Sequence, residues 1–167
     1  MGLKILHAAD LHLDSPFAGF SDAQRQLLKE QQKSLPGKIA DLCRREDCDL
    51  ILLAGDIFDG EASRDTTEIL KKALAGCGVP VFIAPGNHDF CGADSPYLTA
   101  SWPGNVRIFT RPELQALPLP ELDSVIYGAG YTGMDCPGLL KGFRAGGTER
   151  WHIGLLHGDP ATITSPY

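Results

Sequence analysis

The run Asp49-Leu50-Ile51-Leu52-Leu53-Ala54 is followed at once by Gly55-Asp56. An apolar run with no polar face fits a strand covered on both sides, the position of a strand inside a parallel sheet. A carboxylate directly after such a strand is costly unless it meets a cation or caps the next turn. This one segment therefore asks for a layered α/β fold with a polar site at the strand's end. The flanking sequence agrees. Lys4 to Ala9 reads as a first strand and Val81 to Ala84 as a third, with Pro80 tolerated at its first position. Between them, Gln24–Gln32 and Ser34–Glu46 read as two helical pieces, because Pro36 belongs to a first turn. Leu35, Ile39 and Leu42 supply the apolar spacing of the second piece. Asp65-Thr66-Thr67-Glu68 has capping-box spacing ahead of Ile69, Leu70, Ala73 and Leu74, and Gly76 is expected to close that helix at C′. Residues 1–84 thus read β-α-β-α-β, which right-handed crossovers turn into a parallel layer covered by helices.

The second half has another texture. Short strands over Val106–Phe109, Leu114–Leu119, Ser124–Ala129 and His152–Leu156 are separated by Gly and Pro, which suggests a second sheet, mixed or antiparallel. With 167 residues the chain is expected to be one domain. Its 15 Lys and Arg against 21 Asp and Glu give a net charge of −6, which speaks against coating nucleic acid by bulk charge. No apolar run reaches the ~18 residues of a membrane span, and no signal peptide is evident at the start. Five scattered cysteines without a C-x-x-C point to free thiols, no zinc knuckle and a cytoplasmic setting.

Four constellations fall where strands end, the edge at which open α/β sheets build their sites. Asp10-x-His12 follows the first strand, and in extended chain an i, i+2 pair points both side chains to one side. Alone it is a common surface turn. Gly55-Asp56-x-x-Asp59 follows the second strand. Gly86-Asn87-His88-Asp89 follows the third and combines a neutral oxygen, a candidate acid or base, and a carboxylate able to fix an imidazole. His157-Gly158 follows the last strand.

In this order the motifs resemble those of the calcineurin-like metallophosphoesterase superfamily. The opening Lys4-Ile5-Leu6-His7-Ala8-Ala9-Asp10-Leu11-His12-Leu13-Asp14 and Gly55-Asp56-Ile57-Phe58-Asp59 are most similar to the SbcD-type DNA repair exonucleases. The resemblance implies an α/β/β/α sandwich of two mixed sheets flanked by helices. It also implies a two-metal hydrolase that cleaves phosphodiesters. Carried over by position, Asp10 and His12 would hold one ion, Asn87 and His157 the other, and Asp56 would bridge them. The resemblance implies Mn foremost, and oxygen and imidazole ligands without thiolates suit Mn or Fe, with Zn possible. His88 would protonate the leaving oxygen or stabilise the transition state, Asp89 would orient His88, and Asp59 would hold the loop from the second shell. The implied partners are DNA, an SbcC-like coiled-coil ATPase and a second nuclease copy.

The family's last motif, Gly-His-x-His, has no counterpart after His157. The domain over residues 1–167 is therefore expected to stop short of it, with an incomplete second sheet, an unpaired strand edge, weaker metal affinity and little activity by itself. The alternatives are a phosphatase or nucleotide phosphodiesterase of the same superfamily, or a non-catalytic scaffold subunit.

Other features carry blander expectations. His7 and His152 read as structural, His7 as a packed core residue. Trp102, Trp151 and the Phe17/Phe20 pair could stack on bases, with packing the default. Arg44-Arg45 reads as a solvated helix end. Gly128-Ala129-Gly130-Tyr131-Thr132-Gly133 matches G-x-G-x-x-G, but Pro137 and Gly138 interrupt the helix that a dinucleotide site needs, so it reads as a turn.

Overall fold

The computed structural model describes residues 2–136, 138, 140 and 142–158. Its first sheet contains β1 (Ile5–Ala8), β2 (Leu50–Ala54), β3 (Val81–Ala84) and β4 (Val106–Ile108), adjacent in that order and all parallel. The second sheet contains β5 (Gln115–Leu119), β6 (Ser124–Gly128) and β7 (Trp151–Leu155). Here β5 runs antiparallel to β6 and β7 parallel to it, so this sheet is mixed while the first is wholly parallel among the described residues.

Strand alternation divides the apolar run of β2 between two cores. Ile51 and Leu53 face the helical side with Ala40, Cys43, Leu70 and Leu74. Leu50, Leu52 and Ala54 face the second sheet, meeting Ile126 and Leu155 beside Phe82 and Phe109. Leu53 has no exposed surface, so Leu53→Ala would cost about 2–5 kcal/mol through lost transfer energy and a residual cavity.

Helices α1 (Asp22–Lys33), α2 (Leu35–Arg45), α3 (Arg64–Ala75) and the single turn α4 (Pro96–Thr99) complete the frame. The two-piece reading before β2 holds: α1 and α2 meet at Ser34. Three local expectations are corrected. The stripe that α2 buries is Pro36, Ala40 and Cys43, and Leu42 is exposed. The spacing is the expected one, shifted one residue around the helix so that small side chains approach the sheet. The N-cap of α3 is Ser63, whose Oγ accepts from Thr66 N at 3.1 Å, which leaves Asp65 in the first turn. Gly76 caps that helix in the right-handed region at φ −74, and the left-handed residue comes later, at Gly78.

His7 is exposed on edge strand β1 rather than packed in the core. His152 does have a structural role, stacked on Tyr127 with ring centroids 5.9 Å apart. Trp102 likewise packs, stacked on Tyr97 and donating its indole N–H to the Pro96 carbonyl at 2.9 Å. The glycine-rich segment opens no helix. A side chain on Gly128 would meet the Phe109 ring and one on Gly130 the Phe109 carbonyl, so these two glycines serve close packing. No described helix is long and apolar enough to cross a membrane.

Candidate metal centre

The loops after β1, β2 and β3 are stitched together by their own backbones. Asp10 N–H donates to Gly55 O at 3.1 Å, His12 N–H to Asp56 O at 3.0 Å and Leu13 N–H to Ile57 O at 2.8 Å. This requires Asp10 and His12 at φ 55 and 45, and Asp56 at φ 51. The expectation of an extended Asp10-x-His12 is therefore corrected. The pair lies in the left-handed region, which Asp and His tolerate better than most residues.

Asp56, 4% exposed, is the hub of the site. Its Oδ2 lies 3.8 Å from His12 Nε2 and 3.4 Å from His157 Nε2, and its Oδ1 accepts the His88 N–H at 3.0 Å. Asp10, His12 and Asp56 place one ligand atom each within 4.8 Å of one another. On the other side, His157 Nε2 is 3.2 Å from Asn87 Oδ1. All five residues expected to hold metal thus converge as two groups joined by Asp56.

Two glycines clear the space. A Cβ on Gly86 would sit 2.2 Å from Asp56 Oδ1, and one on Gly55, at φ 82, would sit 2.4 Å from the His157 ring. His157 is set by the backbone: Nδ1 lies 2.9 Å from the Ala54 carbonyl, which can only accept, so this nitrogen carries its hydrogen and Nε2 faces Asp56 and Asn87. Hydrogen bonding to Asp56 raises the His157 pKa to about 9, against the opposing effect of burial and with help from the Ala54 carbonyl and Asp10. For Asp56, burial pushes the carboxyl pKa up, but the bonds from His157 and the His88 N–H bring it below the usual value.

Asp59 and Asp89 exchange their expected roles. Asp59 Oδ1 lies 3.2 Å from His88 Nδ1 and 3.5 Å from His12 Nδ1, and the two rings meet edge to face at 4.9 Å. Burial of Asp59 raises its carboxyl pKa, yet Ser15 and the two histidines outweigh it and leave the group below its ordinary value. Asp89 does not orient His88. Its buried carboxylate accepts the backbone N–H groups of Asp56, Ile57, Phe58 and Gly86 and the Tyr97 hydroxyl at 2.6 Å. It is a positioning residue that locks the β2 loop to the β3 loop, and with its oxygens so engaged it has no reach toward the imidazole. Burial, reinforced by Asp89, holds the Tyr97 hydroxyl pKa well above normal, so Tyr97 stays a donor.

Sequence reasoning missed Tyr97, Gln32 (whose amide donates to the His12 carbonyl) and Asp14, which accepts from Ser63 N and the Thr66 hydroxyl at 2.7 and 2.6 Å. Only Asp14 carried a signal, as the next acid in step after Asp10 and His12. Beside His88 an open groove of about 620 Å³ runs past Phe58, Gly60, Glu61, Phe90 and Asp94.

The model of the calcineurin-like phosphoesterases matches residues 3–162. This chain belongs to that family. The family's chemistry is metal-dependent phosphoester hydrolysis. Over 177 aligned positions covering 93% of the chain, it is 36% identical to an uncharacterized metallophosphoesterase, YhaO, of Bacillus subtilis (strain 168). The chain spans 40% of that protein's length.

The donor set fits the divalent ions that the family implies. A buried carboxylate with imidazoles on both sides, an amide oxygen and no thiolate is chemistry for a hard or borderline cation, and the clearance at Gly55 and Gly86 leaves the ligand atoms open to one another.

Proposed function

We propose that this chain is the catalytic part of a metal-dependent phosphodiesterase, most similar to DNA exonucleases of the SbcD type, acting in the cytoplasm with Mn²⁺. The observation that carries the reading is the position of Asp56 between His12 and His157. Two cations bound side by side would repel each other, and a carboxylate shared by both ligand groups would offset that repulsion. Asp10 and His12 would complete one ion's ligands, Asn87 and His157 the other's. Ions bound there would supply a nucleophile at neutral pH and neutralise charge on the phosphoryl oxygens.

The chain's own groups do the rest. His88 stands at the mouth of the groove, 44% exposed in its side chain, where a leaving oxygen can reach it. Its Nδ1 faces Asp59, so Nε2 is the atom placed to give a proton to that oxygen, and the carboxylate holds the ring in that orientation. Asp89 and Tyr97 keep the loops that carry Asp56 and His88 in register. A DNA substrate, an SbcC-like ATPase and a second nuclease copy are the partners that this reading expects. The test compares Mn²⁺-dependent cleavage of duplex DNA with that of mononucleotide phosphoesters. Faster cleavage of DNA is the expected result, and hydrolysis confined to the small esters would replace this reading with the phosphatase or nucleotide phosphodiesterase.

A further inference from the structure

The loop between the metal ligands and α1 has no part in the catalytic account, yet it is built as firmly as the site. After Leu13, whose backbone pairs with Phe58, Ser15 N–H donates to the His12 carbonyl at 3.1 Å and the Ser15 side chain bonds Asp59. At the far end Ser21 caps α1 in a reciprocal capping box with Gln24. Helix α1 then brings Gln32, 8% exposed, back onto the same His12 carbonyl. Residues 16–20 are therefore a short span tied at Ser15 to the metal loop and at Ser21 to the start of α1.

What this span presents is aromatic. Phe17 and Phe20 meet edge to face with centroids 6.5 Å apart, and Phe20 remains 48% exposed instead of packing in the core. The turn is closed by Phe20 N–H on the Phe17 carbonyl at 3.4 Å. Phe17 has φ 50, and it is the one non-glycine residue at positive φ in the described chain that is neither Asp nor His. Phe has no side-chain hydrogen bond to offset that conformation, so its strain is held by the surroundings and points toward use.

We propose that Phe17 and Phe20 form a stacking platform for a nucleobase of the substrate, next to the metal centre. The proposal rests on the phosphodiesterase reading and names the substrate class: phosphodiesters that carry bases. Stacking suits a nuclease of mixed sequences, because every base offers a π-face.

The test measures binding of the full chain, by fluorescence anisotropy, to a short labelled DNA strand and to the same strand made abasic, with Ca²⁺ in place of Mn²⁺ to hold cleavage back. The wild type should favour the base-bearing strand by about 5- to 150-fold. Phe20→Leu, which keeps apolar bulk without a ring face, should bring the ratio near unity, and Phe20→Trp should retain it. Leu27→Ala, another exposed apolar position, should leave the ratio unchanged. A ratio that survives Phe20→Leu overturns the proposal. So does Phe20→Leu turning a dimer into a monomer in sedimentation, which would make the pair a contact between copies. DNA cleaved with no base preference overturns the platform alone, while a wild type that neither binds nor cleaves either strand overturns the nuclease reading with it.

Discussion

Asp59 Oδ1 lies 3.2 Å from Nδ1 of His88, so the carboxylate three residues past Asp56 is the one that orients the candidate acid. Asp59→Asn keeps the size of the side chain and removes its charge. It is expected to lower kcat by about 10- to 100-fold, as losses of orienting partners do, with metal content retained. His88→Asn should cost more, about 100-fold or beyond, again with the metal kept. Elemental analysis beside steady-state kinetics checks both, and loss of metal in His88→Asn would contradict the role assigned to that ring.

Asp89 predicts the opposite pattern. Asp89→Ala would orphan three backbone N–H groups of the β2 loop and the Tyr97 hydroxyl, at about 1–3 kcal/mol for each group left unsatisfied. Urea denaturation should show a loss of at least about 3 kcal/mol if that bonding is as drawn. Tyr97→Phe removes a single donor and should cost about 1–3 kcal/mol. A neutral Asp89→Ala would mean that the loop lock is absent.

Gly86→Ala tests how closely the ligands approach. The added methyl would lie 2.2 Å from Asp56 Oδ1, so that carboxylate must shift. Calorimetric titration with Mn²⁺ should show affinity reduced at least about 10-fold, the scale of a disturbed ligand sphere, in a protein that still folds. Unchanged affinity would refute the tight approach.

The raised pKa of His157, about 9, sets a pH dependence. The metal-free folded state binds this proton more tightly than the unfolded chain does. The stabilisation is therefore complete below the ordinary histidine value of about 6.5 and is lost as pH rises through about 9. Chemical denaturation without metal should show stability falling across that window, with the fall absent in His157→Gln. A metal competes with the same proton, so Mn²⁺ affinity should rise toward pH 9, with proton release visible as a buffer-dependent heat.

Much of the fold was legible because the apolar run of β2 and the turn residues around it admit few alternatives. The convergence of Asp10, His12, Asp56, Asn87 and His157 was legible because each stands shortly after a strand, where topology alone brings strand ends together. Helix faces were read less well: α2 turns Pro36, Ala40 and Cys43 to the sheet and leaves Leu42 exposed. The roles of Asp59 and Asp89 could not be separated by sequence, since adjacency to His88 suggests Asp89 while the turn sends that side chain back into the β2 loop. Tyr97, Gln32 and the Ala54 carbonyl act across the fold and leave no local trace.

Titration of the chain with Mn²⁺, with and without Asp56→Asn, tests the central claim most directly. The wild type should bind two ions per chain, and Asp56→Asn should weaken both together, because one carboxylate serves both ligand groups. A variant that keeps either ion at wild-type affinity, or a wild type that binds only one, would contradict the shared centre.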